Sequence, residues 1–124
     1  MPLTKSACSP AQKANYLQSG MIMDSFLSNA IAMLQTRKAL TTDPAEALSI
    51  GSQIPTLQAE QAKIKSQMYA FLAGTSAITP PTAAQVATIQ SESTTLDGMT
   101  AASDDLNAIL AVVTAALTTW NTTV

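Results

Sequence analysis

The side chains that most enzymes use for acid–base, nucleophilic or metal chemistry are scarce in this sequence. It has no histidine and a single cysteine, Cys8. Without histidine, Ser-His-Asp triads, imidazole proton shuttles and most zinc sites are excluded. One cysteine cannot build a thiolate cage, and Cys8 has no neighbouring base in the sequence. We therefore expect Cys8 to be an unreactive surface thiol in a flexible arm.

The carboxylates offer no better basis for catalysis. Asp104 and Asp105 are adjacent, so on a helix they point about 100° apart and cannot form a tight pair. Glu60 and Glu92 are distant in sequence and could meet only through the fold. The Glu-x-x-His pairs of binuclear carboxylate bundles are absent. The glycines are too widely separated for a phosphate-binding loop. We predict no enzymatic activity, no catalytic residue, no cofactor and no metal site.

Composition points to the kind of surface the protein presents. Of the 124 residues, 47% are hydrophobic and 11% are charged, against about 25% charged in an average globular chain. The net charge of −2 gives no electrostatic attraction to nucleic acid. A surface of neutral polar groups and alanine repels copies of itself only weakly. This favours burial in an assembly, with a small soluble bundle of ordinary neutral surface as the alternative.

Targeting signals are also missing from the sequence. The N-terminal residues lack the apolar core of a secretory signal, so we expect a cytoplasmic protein or one exported by a dedicated machine. Residues 106–124 carry no charge and approach the length of a membrane span. Because Asn107, Thr114 and Thr118 interrupt this segment, we expect a buried bundle helix and no membrane contact.

Hydrophobic periodicity predicts an irregular arm over residues 1–9 and a first helix over about 10–40. Within that helix a wide apolar stripe faces a core. Leu17 and Met21 fall outside the stripe, one turn apart. They form either a second contact strip or scattered surface apolar residues, which are common.

The second helix is predicted over about 44–73, after an Asp43-Pro44 start signal. Apolar residues recur three and four apart along it, which is the heptad spacing of side-by-side helices. Pro55 predicts a kink near 51–55 without a break. Gln61 is polar at a seam position and should find a partner. It is either a residue that fixes register or oligomeric state, or a partly exposed edge position.

The third helix is predicted over about 82–121, starting at a capping box of Thr82 and Gln85. Its seam skips one place after Gly98. We favour one continuous helix, bent near Gly98, over two separate helices, because a helical glycine costs only about 1 kcal/mol relative to alanine. At about 60 Å it would overhang the others, at about 45 Å, and leave an apolar face uncovered. The residues of this candidate interaction surface are Leu106, Ile109, Leu110, Val113, Leu117 and Trp120.

The sequence therefore predicts an all-α fold: three long antiparallel amphipathic helices in an up-down-up bundle, with residues 10–124 as a single domain. In composition the chain resembles helical subunits of bacterial secretion and phage-like machines, which are also poor in His, Cys and charge. We expect a non-enzymatic structural or interaction protein that associates with itself or docks into a larger assembly. The alternatives are a small regulatory or chaperone-like module that binds a partner's helix, and an exported effector acting on a membrane through residues 106–124.

Overall fold

The protein is folded from α-helices, and the computed structural model describes residues 2–101 and 105–123. Over these residues there are four helices: α1 (Pro10–Leu40), α2 (Pro44–Leu72), α3 (Ala83–Asp97) and α4 (Leu106–Asn121). The only β-type pairing described is an isolated bridge. The all-α prediction is confirmed, whereas the prediction of three helices is wrong.

The first two helices occupy the predicted ranges because their caps are strong local signals. Ser9 and Gln12 form a reciprocal capping box at the start of α1. The Asp43 carboxylate accepts a hydrogen bond from the Ala45 backbone N–H at 3.0 Å, immediately before Pro44. α2 continues through Pro55 without a break.

The predicted continuous third helix is two helices in the structure, and this corrects the sequence interpretation. α3 ends at Asp97, and the Gly98 N–H donates to the carbonyls of Thr94 and Thr95. α4 begins after Asp105, whose carboxylate accepts from the Asn107 N–H at 3.1 Å. Folding back lets α4 pack against α1 and α3. Burying a large apolar side chain is worth about 1.5–3 kcal/mol, so several of them outweigh the few helical hydrogen bonds that the break removes, at about 1 kcal/mol each.

The helix directions alternate, as contacts at the two ends of the bundle show. At one end Arg37, near the end of α1, bonds Glu46 in the first turn of α2 and the carbonyl of Ala101, beyond α3. At the other end Gln85, at the start of α3, bonds Thr122, just after α4. The topology is therefore up-down-up-down, and we call these the Arg37 end and the Gln85 end.

α1 is the central helix of the bundle and packs against each of the other three. Among the described residues, no Cα atom of α2 lies within 8 Å of one in α3 or α4. α2 therefore packs mainly on α1. The surface of the α1–α2 pair that is directed away from α3 and α4 faces solvent. The buried residues of α2 recur at every seventh position and are every second residue of the predicted seam; they are Ile50, Leu57, Ile64 and Phe71. The seam residues between them are only half-buried.

The N-terminal arm is held against the bundle, which corrects the expectation of a flexible arm with a surface thiol. Leu3 and Ile78 exchange both backbone hydrogen bonds, at 2.6 and 2.8 Å. The Lys5 ammonium donates to the carbonyl of Leu72 at 3.2 Å. These ties place Cys8 in the core, where it is only 6% exposed. Nothing in the local sequence signals this, because the bonds join groups that are far apart along the chain.

Candidate interaction surface

The contact between α1 and α2 includes a glycine, Gly20. Gly20 is buried, and a Cβ atom added to it would overlap Sδ of Met68. The missing side chain therefore allows the Met68 thioether to lie directly on the backbone of α1. Met68 is half-buried and packs against the core from the outer side of the bundle.

One turn away from Gly20, a polar cluster fixes how the two helices meet. The Gln61 amide nitrogen lies 3.0 Å from the backbone carbonyl of Asp24, 2.8 Å from its carboxylate and 2.6 Å from the hydroxyl of Ser28. The expectation that this polar seam residue finds a partner is confirmed. Gln61 is also half-buried, which fits the alternative of a partly exposed edge position. Because a shift of one turn would remove these bonds, the role of Gln61 in fixing register stays a prediction with a physical basis.

The Asp24 carboxylate also takes part in an ion pair that joins α1 and α2. The ammonium of Lys65 lies 3.5 Å from Oδ1 of Asp24, and their side chains are 50% and 37% exposed. An ion pair this exposed adds roughly 0–1 kcal/mol to stability. Both charges therefore remain partly exposed to solvent beside the contact of the two helices.

Beside this ion pair lies a shallow cavity of about 130 Å³ whose walls are mainly apolar. Met21 on α1 and Tyr69 on α2 line it and are 66% and 69% exposed. Leu17 and Leu72 do not line the cavity, but helical spacing places them on the same helix faces, one turn further toward the Gln85 end. We call this surface the outer groove. Its residues are Leu17, Met21 and Asp24 on α1, and Lys65, Met68, Tyr69 and Leu72 on α2.

The surface predicted from the overhanging third helix lies elsewhere and is mostly enclosed. Leu106, Ile109, Val113 and Trp120 are buried, and Leu110 and Leu117 are partly buried against the core. The premise of an overhang is wrong, because α4 folds back against α1 and α3. Four of the six side chains therefore belong to the core of the bundle, and Leu110 and Leu117 pack against it.

The residues considered for chemistry remain dispersed. Asp105 caps α4, and Asp104 lies outside the described residues. Glu60 and Glu92 lie on α2 and α3, helices whose described Cα atoms stay more than 8 Å apart. No group of three His, Cys, Asp or Glu residues able to hold a metal ion occurs within 2–101 and 105–123. Over the same ranges, no helix combines the length and apolarity needed to cross a membrane.

An aromatic cluster closes the core at the Gln85 end. The Tyr16 ring meets Phe71 edge to face, with centroids 4.8 Å apart, and stacks on Trp120 at 5.2 Å. The Trp120 indole N–H donates to Oε1 of Gln67 at 3.2 Å. The Tyr16 hydroxyl is buried without a hydrogen-bond partner, and burial raises its pKa to about 12. The cluster holds α1, α2 and α4 together, and its three rings are enclosed by the core.

The sequence signals only one wall of the outer groove, and only as one of two alternatives. Leu17 and Met21 fall outside the apolar stripe of α1, as either a second contact strip or scattered surface residues. Tyr69 and Leu72 depart from the seam of α2 in the same way. The sequence does not show that these two sets of apolar residues lie side by side. That depends on which faces of α1 and α2 are neighbours in the fold.

The fold and this surface define a class of protein: an all-α helical bundle that presents an apolar groove with a single pair of opposite charges. Comparisons of the chain with known protein families, with characterised proteins and with solved structures find no match.

Proposed function

We propose that this chain is a non-enzymatic interaction protein, a helical-bundle subunit that docks another protein surface in its outer groove. The observation that carries the proposal is the exposure of Met21 and Tyr69 around one cavity. Met and Tyr are both enriched at protein interfaces. The other large exposed apolar side chains described do not line the cavity; they are Leu40, Leu48 and Leu72, of which Leu72 lies next to it along α2.

The low charge of the whole chain supports the same function. Only 11% of its residues are charged, so a docking surface needs to remove few charges from water. A subunit of an assembly, as the composition suggests, would use such a surface to recruit the next subunit.

A chaperone-like module that binds a partner's amphipathic helix is the second candidate. Met21 and Met68 favour it, since methionine adapts its flexible thioether to varied apolar partners. Membrane action through residues 106–124 has less support, because Leu106, Ile109, Val113 and Trp120 would first have to leave the core.

The experiment that tests the proposal is site-specific photo-crosslinking in the cells that make the protein. A benzophenone amino acid replaces Tyr69 in one variant and Leu48, which is 78% exposed on the same helix, in the control. We expect a discrete crosslinked species from position 69 and none from position 48. Adding Met21→Asp should abolish that species, because it places an unpaired charge in the apolar contact.

Each result is interpretable by mass. A species of twice 12.9 kDa is a pair of these chains, and another discrete mass is a complex with a different protein. Equal labelling from both positions, or a product that persists with Met21→Asp, would contradict the proposal.

A further inference from the structure

The outer groove has a charge pattern that can complement itself. Asp24 projects from α1 and Lys65 from α2, so one wall carries a negative charge and the other a positive charge at the same level. The net charge of the pair is zero. Two such grooves can therefore meet face to face without net repulsion at this point.

The levels along the groove are set by described contacts. Asp24 lies beside Lys65, and the next turn toward the Gln85 end brings Gly20 and Met21 beside Met68. A further turn places Leu17 near the level of Leu72. The groove is thus ordered as one charged level followed by two apolar levels.

From this pattern we infer that the outer groove binds a second copy of this chain, with a twofold axis running along the groove; the inference rests on the proposed function. A half-turn about that axis puts α1 of each copy opposite α2 of the other. Asp24 then faces the partner's Lys65, and Met21 faces the partner's Tyr69. Because a twofold contact is reciprocal, both pairs occur twice.

The alternative twofold axis, across the groove, gives a poor match. It puts α1 opposite α1, so that at the charged level Asp24 faces the partner's Asp24 and Lys65 faces the partner's Lys65. Moving the axis to the level of Met21 and Met68 places the charged level of one copy opposite Leu17 and Leu72 of the other, so that charges face apolar side chains. Only the axis along the groove matches opposite charges and apolar side chains together.

The two ion pairs of such a dimer form an alternating square. Each carboxylate has two ammonium neighbours, one in its own chain and one in the partner. Gln61 assists by holding the Asp24 carboxylate through its amide nitrogen at 2.8 Å. The contact area is small, so the dimer falls in the weak class of interfaces, with a dissociation constant on the order of 0.1 mM.

Sedimentation equilibrium of the purified full chain tests this arrangement from about 10 µM to 1 mM, the range set by the expected affinity. We expect the average mass of the unaltered chain to rise from 12.9 kDa toward twice that value. Asp24→Lys alone and Lys65→Asp alone should each weaken association at least about tenfold, because each places like charges opposite one another twice. An equimolar mixture of the two variants should recover affinity to within about threefold, since both facing pairs are then attractive.

Two controls keep the test independent of folding. Circular dichroism reports whether each charge variant remains helical. If one does not fold, Tyr69→Ser replaces it, which keeps both charges and should weaken association at least about tenfold. Leu48→Ser is its matched control, at an exposed site on the same helix outside the groove, and should leave association unchanged.

The results separate this inference from the proposed function. A chain that stays monomeric at 1 mM overturns the dimer, and a crosslinked foreign protein at position 69 would leave the proposed function standing. A mixture as weak as the single variants, with the unaltered chain still associating, overturns the twofold arrangement. Loss of association with Leu48→Ser equal to that with Tyr69→Ser would place the contact elsewhere and contradict both.

Discussion

Gly20 of α1 lies directly beneath the side chain of Met68 of α2, so closely that a Cβ atom on Gly20 would overlap the Met68 sulfur. The absent side chain brings the two helices together and seats the thioether at the floor of the outer groove. One glycine thus links helix packing to the shape of the proposed interaction surface.

Gly20→Val should lower the free energy of unfolding by about 1–3 kcal/mol through overpacking. Adding Met68→Ala should recover at least half of that loss, because it removes the overlapping atoms. Urea denaturation of the four chains in this double-mutant cycle provides the measurement. Gly51→Ala is the matched control. The nearest atom to its added methyl is the Lys38 ammonium at 3.6 Å, so helix propensity should raise stability by about 0.5–1 kcal/mol. A Gly20→Val chain as stable as the original would refute the close contact.

Tyr16→Phe should raise the free energy of unfolding by about 1 kcal/mol, since a buried hydroxyl without a partner costs about 1–3 kcal/mol and the ring contacts remain. Urea denaturation at neutral pH measures this change. A loss of stability above about 1 kcal/mol would mean that the hydroxyl makes a bond in solution.

The same substitution should change the response to alkaline pH. The pKa of Tyr16 is raised to about 12 in the folded chain, against about 10 in an unfolded one. Between these values the unfolded state loses the proton first, so stability falls as pH rises from 10 to 12. The melting temperature should therefore fall less steeply between pH 10 and 12 for Tyr16→Phe than for the unaltered chain. An equal fall in both chains would contradict the raised pKa of Tyr16.

Acid should weaken the Arg37 end of the bundle. The hydrogen bond from Arg37, at 2.7 Å from Nε to Oε1, lowers the pKa of the Glu46 carboxyl. A lowered folded-state pKa stabilises the protein above the unfolded pKa of about 4.3, and that stabilisation is lost as pH falls below it. The melting temperature of the unaltered chain should therefore drop more between about pH 5 and 3 than that of Glu46→Gln. An equal drop in both chains would assign the acid sensitivity to other carboxylates.

Asp105→Ala should cost about 1 kcal/mol, because it removes the side-chain cap at the start of α4. Asp105→Asn, which can accept the same bond, should be within a few tenths of a kcal/mol of the original. Chemical denaturation of both variants checks this. An equal loss of unfolding free energy in Asp105→Ala and Asp105→Asn would show that the charge of Asp105, rather than its capping hydrogen bond, stabilises α4.

Local signals predicted the first half of the fold and failed at α4. Asp43, Pro44 and the Thr82–Gln85 capping box act within a few residues, so the sequence alone reveals them. The break after Asp97 depends on burial of α4 against α1 and α3, a tertiary gain that exceeds any local preference for continuity. The register skip after Gly98 and the capping residue Asp105, two residues before Asn107, are the local signals of this break in the sequence.

The candidate site was predictable only in part, for a similar reason. Gln61 was recognisable as a polar residue in an apolar seam, and its partners Asp24 and Ser28 became known only with the fold. Surface apolar residues are common, so Met21 alone carried little information. Met21 is part of a candidate site because it lies beside Tyr69 and the Asp24–Lys65 pair. This position depends on how α1 and α2 pack.

The most direct measurement of the outer groove as an interaction surface is NMR of the protein labelled at the methionine methyl groups. Met21 and Met68 line the groove, whereas Met23 and Met33 are buried at 0% and 9% exposure. As protein concentration rises, or as a crosslinking partner is added, the Met21 and Met68 signals should shift while those of Met23 and Met33 stay in place. Signals of Met21 and Met68 that remain fixed while the protein associates would contradict the account.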